Sequence, residues 1–72
     1  MEKILINWLE NYTQCTKLKG ETKFSNLNFD VFDEAMTVDF VSQKFGVNIN
    51  TSEQWFDTVD DLIRAINNDK RL

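Results

Sequence analysis

The sequence predicts an all-α domain of four helices, three long and one short. Three observations carry this expectation. Apolar residues recur at helical spacing in three separate windows. Asp30 and Thr58 stand where a helix would start, each with an acid three residues later, the pattern of a capping box. The 72 residues contain no proline and two glycines, Gly20 and Gly46, a scarcity of breakers that suits helices joined by few connections. The length allows one domain, 1–72, with a modest core.

The first helix is expected over residues 3–14. Ile4, Leu5, Trp8, Leu9 and Tyr12 form its apolar stripe, and Ile6 falls just outside it. The polar stretch from Thr16 to Lys23, with Gly20 in it, reads as loop. Phe24, Leu27 and Phe29 follow among Ser25, Asn26 and Asn28. Such a loop should fold down onto the core through its apolar residues. The second helix is expected over 30–44, with Asp30 as N-cap, Asp33 at N3 and Gly46 closing it as C-cap. Val38, Val41 and Phe45 make one stripe on it. Val31, Phe32, Ala35 and Met36 make a second on another side, unusual for a plain surface helix.

Val47 and Ile49 alternate with asparagines as a short extended link. Asn50 or Thr51 can cap a short helical turn near 51–56. Thr58 should cap the last helix, 58–67, with Asp61 at N3 and Val59, Leu62, Ile63 and Ile66 on its inner face. Lys70 and Arg71 lie past its end, where positive charge is favourable. The expected core therefore combines the stripe of the first helix with Phe24, Leu27, Val38, Val41, Phe45, Val47, Ile49 and the inner face of the last helix.

Composition excludes several classes. The net charge is −4 with no basic cluster, which argues against nucleic acid and anionic membranes and favours a protein partner with a basic docking surface. No run of about 18 apolar residues exists to span a membrane. The start of the chain, with Glu2 and Lys3, reaches Asn7 after three apolar residues and does not read as a secretory signal. A lone cysteine, Cys15, fits a reducing cytoplasm, and a cytoplasmic monomer is the expectation. The chain has no histidine, so Cys15 lacks its usual catalytic base and a transition metal lacks a usual ligand. Asp60 and Asp61 are adjacent and diverge on a helix. No catalytic residue and no metal site are therefore expected, and the chain does not read as an enzyme. Trp8, Trp55 and Phe56 read as core or core edge.

From Phe24 to Ile63 the order of elements resembles the acyl carrier protein family. The family's stretch runs Phe, a short gap, Leu-Gly-x-Asp-Ser-Leu-Asp, then a helix ending in Phe-Gly. Here it reads Phe24-Ser25-Asn26-Leu27-Asn28-Phe29-Asp30-Val31-Phe32-Asp33, and Phe45-Gly46 follows at the matching distance. Val47-Asn48-Ile49 resembles the family's exit strand, and Thr58-Val59-Asp60-Asp61 the start of its final helix. The first helix adds a compatible pattern, and the resemblance implies an acyl-carrier-protein-like four-helix bundle.

The departures fall at the family's chemistry. Its attachment serine is replaced by Val31, which has no hydroxyl to carry 4′-phosphopantetheine. No cofactor is therefore expected, although the family implies one. The glycine before the site is Asn28, the next-best residue for a left-handed turn. The following leucine is Phe32, a later acid is Met36, and a core leucine is Thr37. The link before the last helix is one residue shorter. In carrier proteins the start of the second helix is the docking surface for partner enzymes. Carried over, that surface is Phe32, Asp33, Glu34, Ala35, Met36 and Asp39, around Val31.

Each part of it has a plainer reading. Val31, Phe32, Ala35 and Met36 are either a docking patch or an ordinary core stripe. Asp30, Asp33, Glu34 and Asp39 are either an acidic recognition face for a basic partner or helix caps and solvated surface; capping accounts for Asp30 and Asp33 better than for Glu34 and Asp39. The resemblance implies an interaction partner in fatty-acid or polyketide-type assembly, binding an acyl-processing enzyme without holding a substrate. A genuine acyl carrier, altered or using another site, and an unrelated helical adaptor stay open beside it.

Overall fold

The computed structural model describes residues 1–49 and 55–69. Helix α1 spans Glu2–Thr13, a single 3-10 turn spans Phe24–Leu27, α2 spans Val31–Phe45 and α3 spans Val59–Asp69. Among the described residues these are the three α-helices, and no strand forms; one isolated bridge joins Lys23 to Thr58. The chain is all-α, as its periodicity predicts. The short turn expected near 51–56 lies mostly outside the described residues, as do Lys70 and Arg71, and Trp55 and Phe56 are not helical. The short helical piece that is seen lies at Phe24–Leu27, in a stretch expected to be loop.

Helix α1 buries Leu5 and Leu9 completely. Ile4, expected in the core, is 44% exposed, whereas Ile6 packs against the core. At 3.6 residues per turn, the direction bisecting Leu5 and Leu9 lies about 80° from Ile6 and about 120° from Ile4. The stripe is therefore rotated towards Ile6. Gln14 ends the helix in the left-handed region, with φ 61°.

Helix α2 starts as predicted. The Asp30 carboxylate accepts from the Asp33 N–H at 3.0 Å, and the Asp33 carboxylate accepts from the Asp30 N–H at 2.9 Å. Two orphan donors are thereby satisfied together. Gly46 closes the helix at φ 69°, its N–H donating to the Ser42 carbonyl at 3.0 Å. Thr37 and Val41 are fully buried. The Thr37 hydroxyl donates to the Asp33 carbonyl at 2.8 Å, so its burial leaves no unpaired hydroxyl donor.

The first donors of α3 are satisfied by another part of the chain. Val59 N–H donates to the Thr22 carbonyl at 3.0 Å and Asp60 N–H to the Gly20 carbonyl at 2.7 Å. Asp61 N–H donates to the Thr58 hydroxyl, and the Asp61 carboxylate accepts from Thr58 N–H, both at 3.2 Å. A β-carbon at Gly20 would meet the exposed Asp60 carboxylate, which would have to swing aside. Leu18, in the loop read as polar, is buried, and its N–H donates to a Glu10 carboxylate oxygen at 2.9 Å.

The core gathers Leu5, Leu9, Leu18, Phe24, Val41, Val47, Val59, Leu62, Ile63 and Ile66. Around it runs one chain of ring contacts: Phe45 to Phe40, Phe40 to Trp8, Trp8 to Tyr12, Tyr12 to Phe29, and Phe29 to Phe24, Trp55 and onward to Phe56. Such contacts add to plain area burial. Of the six phenylalanines, two tryptophans and one tyrosine, Phe32 alone stands outside this chain among the described residues.

Candidate functional site

The turn that precedes α2 aims its first residues outward. Asn28 adopts φ 54°, the left-handed conformation expected of it, and Asp30 is extended, at φ −112°. The capping box then locks the first turn. Val31, the first helical residue, is 73% exposed, Phe32 is 80% exposed and Met36 is 50% exposed. Ala35 is exposed beside them. Of the two readings of this stripe, the core reading does not hold: these side chains face solvent.

The acids around the patch have different duties. Both carboxylate oxygens of Asp33 are occupied within the fold. One accepts from the Asp30 N–H, and the other accepts from the Tyr12 hydroxyl at 2.6 Å, tying α1 to the start of α2. The Tyr12 hydroxyl, and after it the Asp30 N–H, hold the Asp33 carboxyl below the usual carboxylate range. The same hydrogen bond to Asp33, with partial desolvation, raises the Tyr12 phenol above its usual range. Asp39 accepts from the Gln43 amide at 3.1 Å and stays exposed. Glu34 is half-buried, and its carboxylate has no hydrogen-bond or ion-pair partner among the described residues.

A cleft of about 410 Å³ opens on the other side of Glu34. Phe24, Phe29, Trp55 and Phe56 wall it, and Asp57 brings a second carboxylate. Sequence reasoning did not find this cleft. It joins Phe29 to Trp55 and Phe56, far apart along the chain, and no local pattern in either stretch points to the other. The Trp55 indole nitrogen is buried without a hydrogen-bond partner among the described residues.

No grouping of acids and cysteine able to hold a metal ion occurs among the described residues. Cys15 is a free, half-buried thiol, and its nearest polar contact is the Thr16 carbonyl at 3.7 Å. No described helix is long and apolar enough to cross a membrane. No family model, no curated protein and no solved structure matches the chain.

Proposed function

We propose that this chain is an acyl-carrier-protein-like module that holds no substrate and serves as an interaction partner in fatty-acid or polyketide-type assembly. The observation that carries the reading is the apolar patch Val31, Phe32 and Met36, displayed at the capped start of α2. A carrier needs its attachment residue at that position, outward and accessible. Here the backbone arrangement supports such a position, with Asn28 in the left-handed turn and Asp30 as cap, but the residue is valine. Valine offers no hydroxyl for a phosphodiester, so a phosphopantetheine arm has no anchor at Val31. An apolar centre with a charged rim is suited to protein contact. Glu34 and Asp39 favour a basic partner and would speed its approach.

The test uses a broad-specificity phosphopantetheinyl transferase and intact mass. The unaltered chain should gain no mass. Val31→Ser should gain the mass of the arm, because the surface that the transferase reads surrounds the new hydroxyl. A Val31→Ser variant that folds but stays unmodified speaks against a carrier-like surface. Modification of the unaltered chain would restore the reading of a genuine carrier.

A further inference from the structure

We infer that the cleft between the 3-10 turn, α2 and residues 55–57 is a binding site for an organic cation, a guanidinium or a quaternary ammonium group. This goes beyond the docking patch, lies on the other side of Glu34 and does not depend on it. Three observations support it. First, the cleft holds about 410 Å³, within the range of about 300–1,000 Å³ typical of small-ligand sites. Second, its walls are aromatic and set in two inclinations. Trp55 lies at 69° to Phe56 and 68° to Phe24, but at 23° to Phe29. These rings pack on one another, and the cleft runs along the cluster that they form. The face of an aromatic ring attracts a cation, and tryptophan does so most strongly.

Third, the charged side chains that line the cleft are of one sign. Glu34 and Asp57 both line it. Neither carboxylate has a hydrogen-bond or ion-pair partner among the described residues, where the one ion pair is Arg64 with Asp61. Aromatic walls alone would suit many apolar ligands. Two carboxylates beside them disfavour anions and select a cation. A bare metal ion fits poorly, because the rings offer it no oxygen ligands. A charge spread over carbon and nitrogen is less strongly hydrated and is better matched to the walls.

Paired probes that differ in charge and little in shape decide the matter. Nα-acetyl-arginine amide is compared with its neutral citrulline counterpart, and choline with 3,3-dimethylbutanol. Binding is read by amide chemical shifts of the full chain and by Trp55 emission in a Trp8→Phe background. The cations should give saturable shifts at residues 24, 29, 34 and 55–57, at least about ten-fold tighter than the neutral partners. That ratio corresponds to about 1.4 kcal/mol. Added salt should weaken the response. Glu34→Gln with Asp57→Asn should reduce affinity at least about five-fold while the far-ultraviolet dichroism stays that of the parent. A preference for the arginine compound points to a side chain of a partner protein, and a preference for choline to a free small molecule. Equal response to charged and neutral probes, shifts centred on residues 31, 32, 35 and 36, or no saturation overturns the inference. Phe32→Ala should leave these titrations unchanged, so failure here and failure of the docking patch are distinguishable.

Discussion

Replacing Phe32 by alanine separates a docking ring from a structural one. Full burial of a phenylalanine side chain contributes about 1.5–3 kcal/mol. Phe32 is 80% exposed, so folding has captured about one fifth of that, about 0.3–0.6 kcal/mol. Alanine returns a similar amount, about 0.5 kcal/mol, through its higher helix propensity. The expected net change in stability is therefore within about 0.5 kcal/mol of zero. Phe24, 2% exposed, is the control. Phe24→Ala should cost about 3–5 kcal/mol, a large part of the roughly 4–11 kcal/mol available to a chain of this length. Thermal unfolding followed by far-ultraviolet dichroism should show Phe32→Ala within a few degrees of the parent. Phe24→Ala should melt at least about 12 °C lower. The remaining four fifths of the Phe32 ring, about 1.2–2.4 kcal/mol, stays available to a partner and corresponds to about 8- to 60-fold in affinity. If Phe32→Ala destabilises the fold as much as Phe24→Ala does, the ring belongs to the core and the docking argument fails.

Three further perturbations probe the frame beneath the patch. The Asp33 carboxyl is held below its ordinary value of 3.8. Its stabilising effect is thus present above that value and is lost as pH falls through the lower, folded one; Tyr12→Phe should flatten the acid limb of a stability-against-pH curve, and an unchanged limb would show that the Tyr12 bond is not maintained in solution. Tyr12 is raised above 10.0, so its contribution holds below that value and is lost as pH rises through the folded one; the same variant should also remove the alkaline loss, read by dichroism. Gly46→Ala meets open space but keeps φ 69°, so strain alone should cost about 1–2 kcal/mol, measured by urea unfolding; a neutral result would mean the C-cap relaxes. Thr58→Ala removes the acceptor for Asp61 N–H and should cost about 1 kcal/mol; a cost near zero would show that the contacts of Gly20 and Thr22 with α3 suffice.

What the sequence made legible, and what it did not, divides by the range of the interaction. Asp30, Asp33, Gly46, Thr58 and Asp61 act within a few residues, and each was readable as a cap because its partner lies close along the chain. Leu18 was not readable. It sits among polar residues, and it is buried because Glu10 and the start of α3 draw the loop inward. Ile4 was misplaced because six apolar residues in α1 allow a stripe to be drawn in more than one direction, and the packing of Leu5 and Leu9 decides between them. The second duty of Asp33 was hidden for a similar reason: its partner, Tyr12, is on another helix. The second apolar stripe of α2 was visible as a pattern, but whether it faced the core or water depended on how α2 packs against α1.

The fold itself explains much of what makes the start of α2 look like an attachment site. Asn28 is needed for the left-handed turn, Asp30 and Asp33 for the cap, and Thr37 for burial with a satisfied hydroxyl. A helix start built this way would be stable whether or not it ever carried a prosthetic arm, so its geometry alone says little about chemistry. Val31, Phe32 and Met36 are different. Folding gains little from Val31 and Phe32, most of whose surface stays in water, and half of Met36 stays there too; polar residues there would cost the fold little and reduce the risk of aggregation. The eight other aromatic residues are drawn into one chain of ring contacts around the core, while Phe32 is left outside it. The residues that the fold does not require are thus the ones on which the proposed docking rests. That is why the decisive experiments are those that change these side chains and leave the cap beneath them intact.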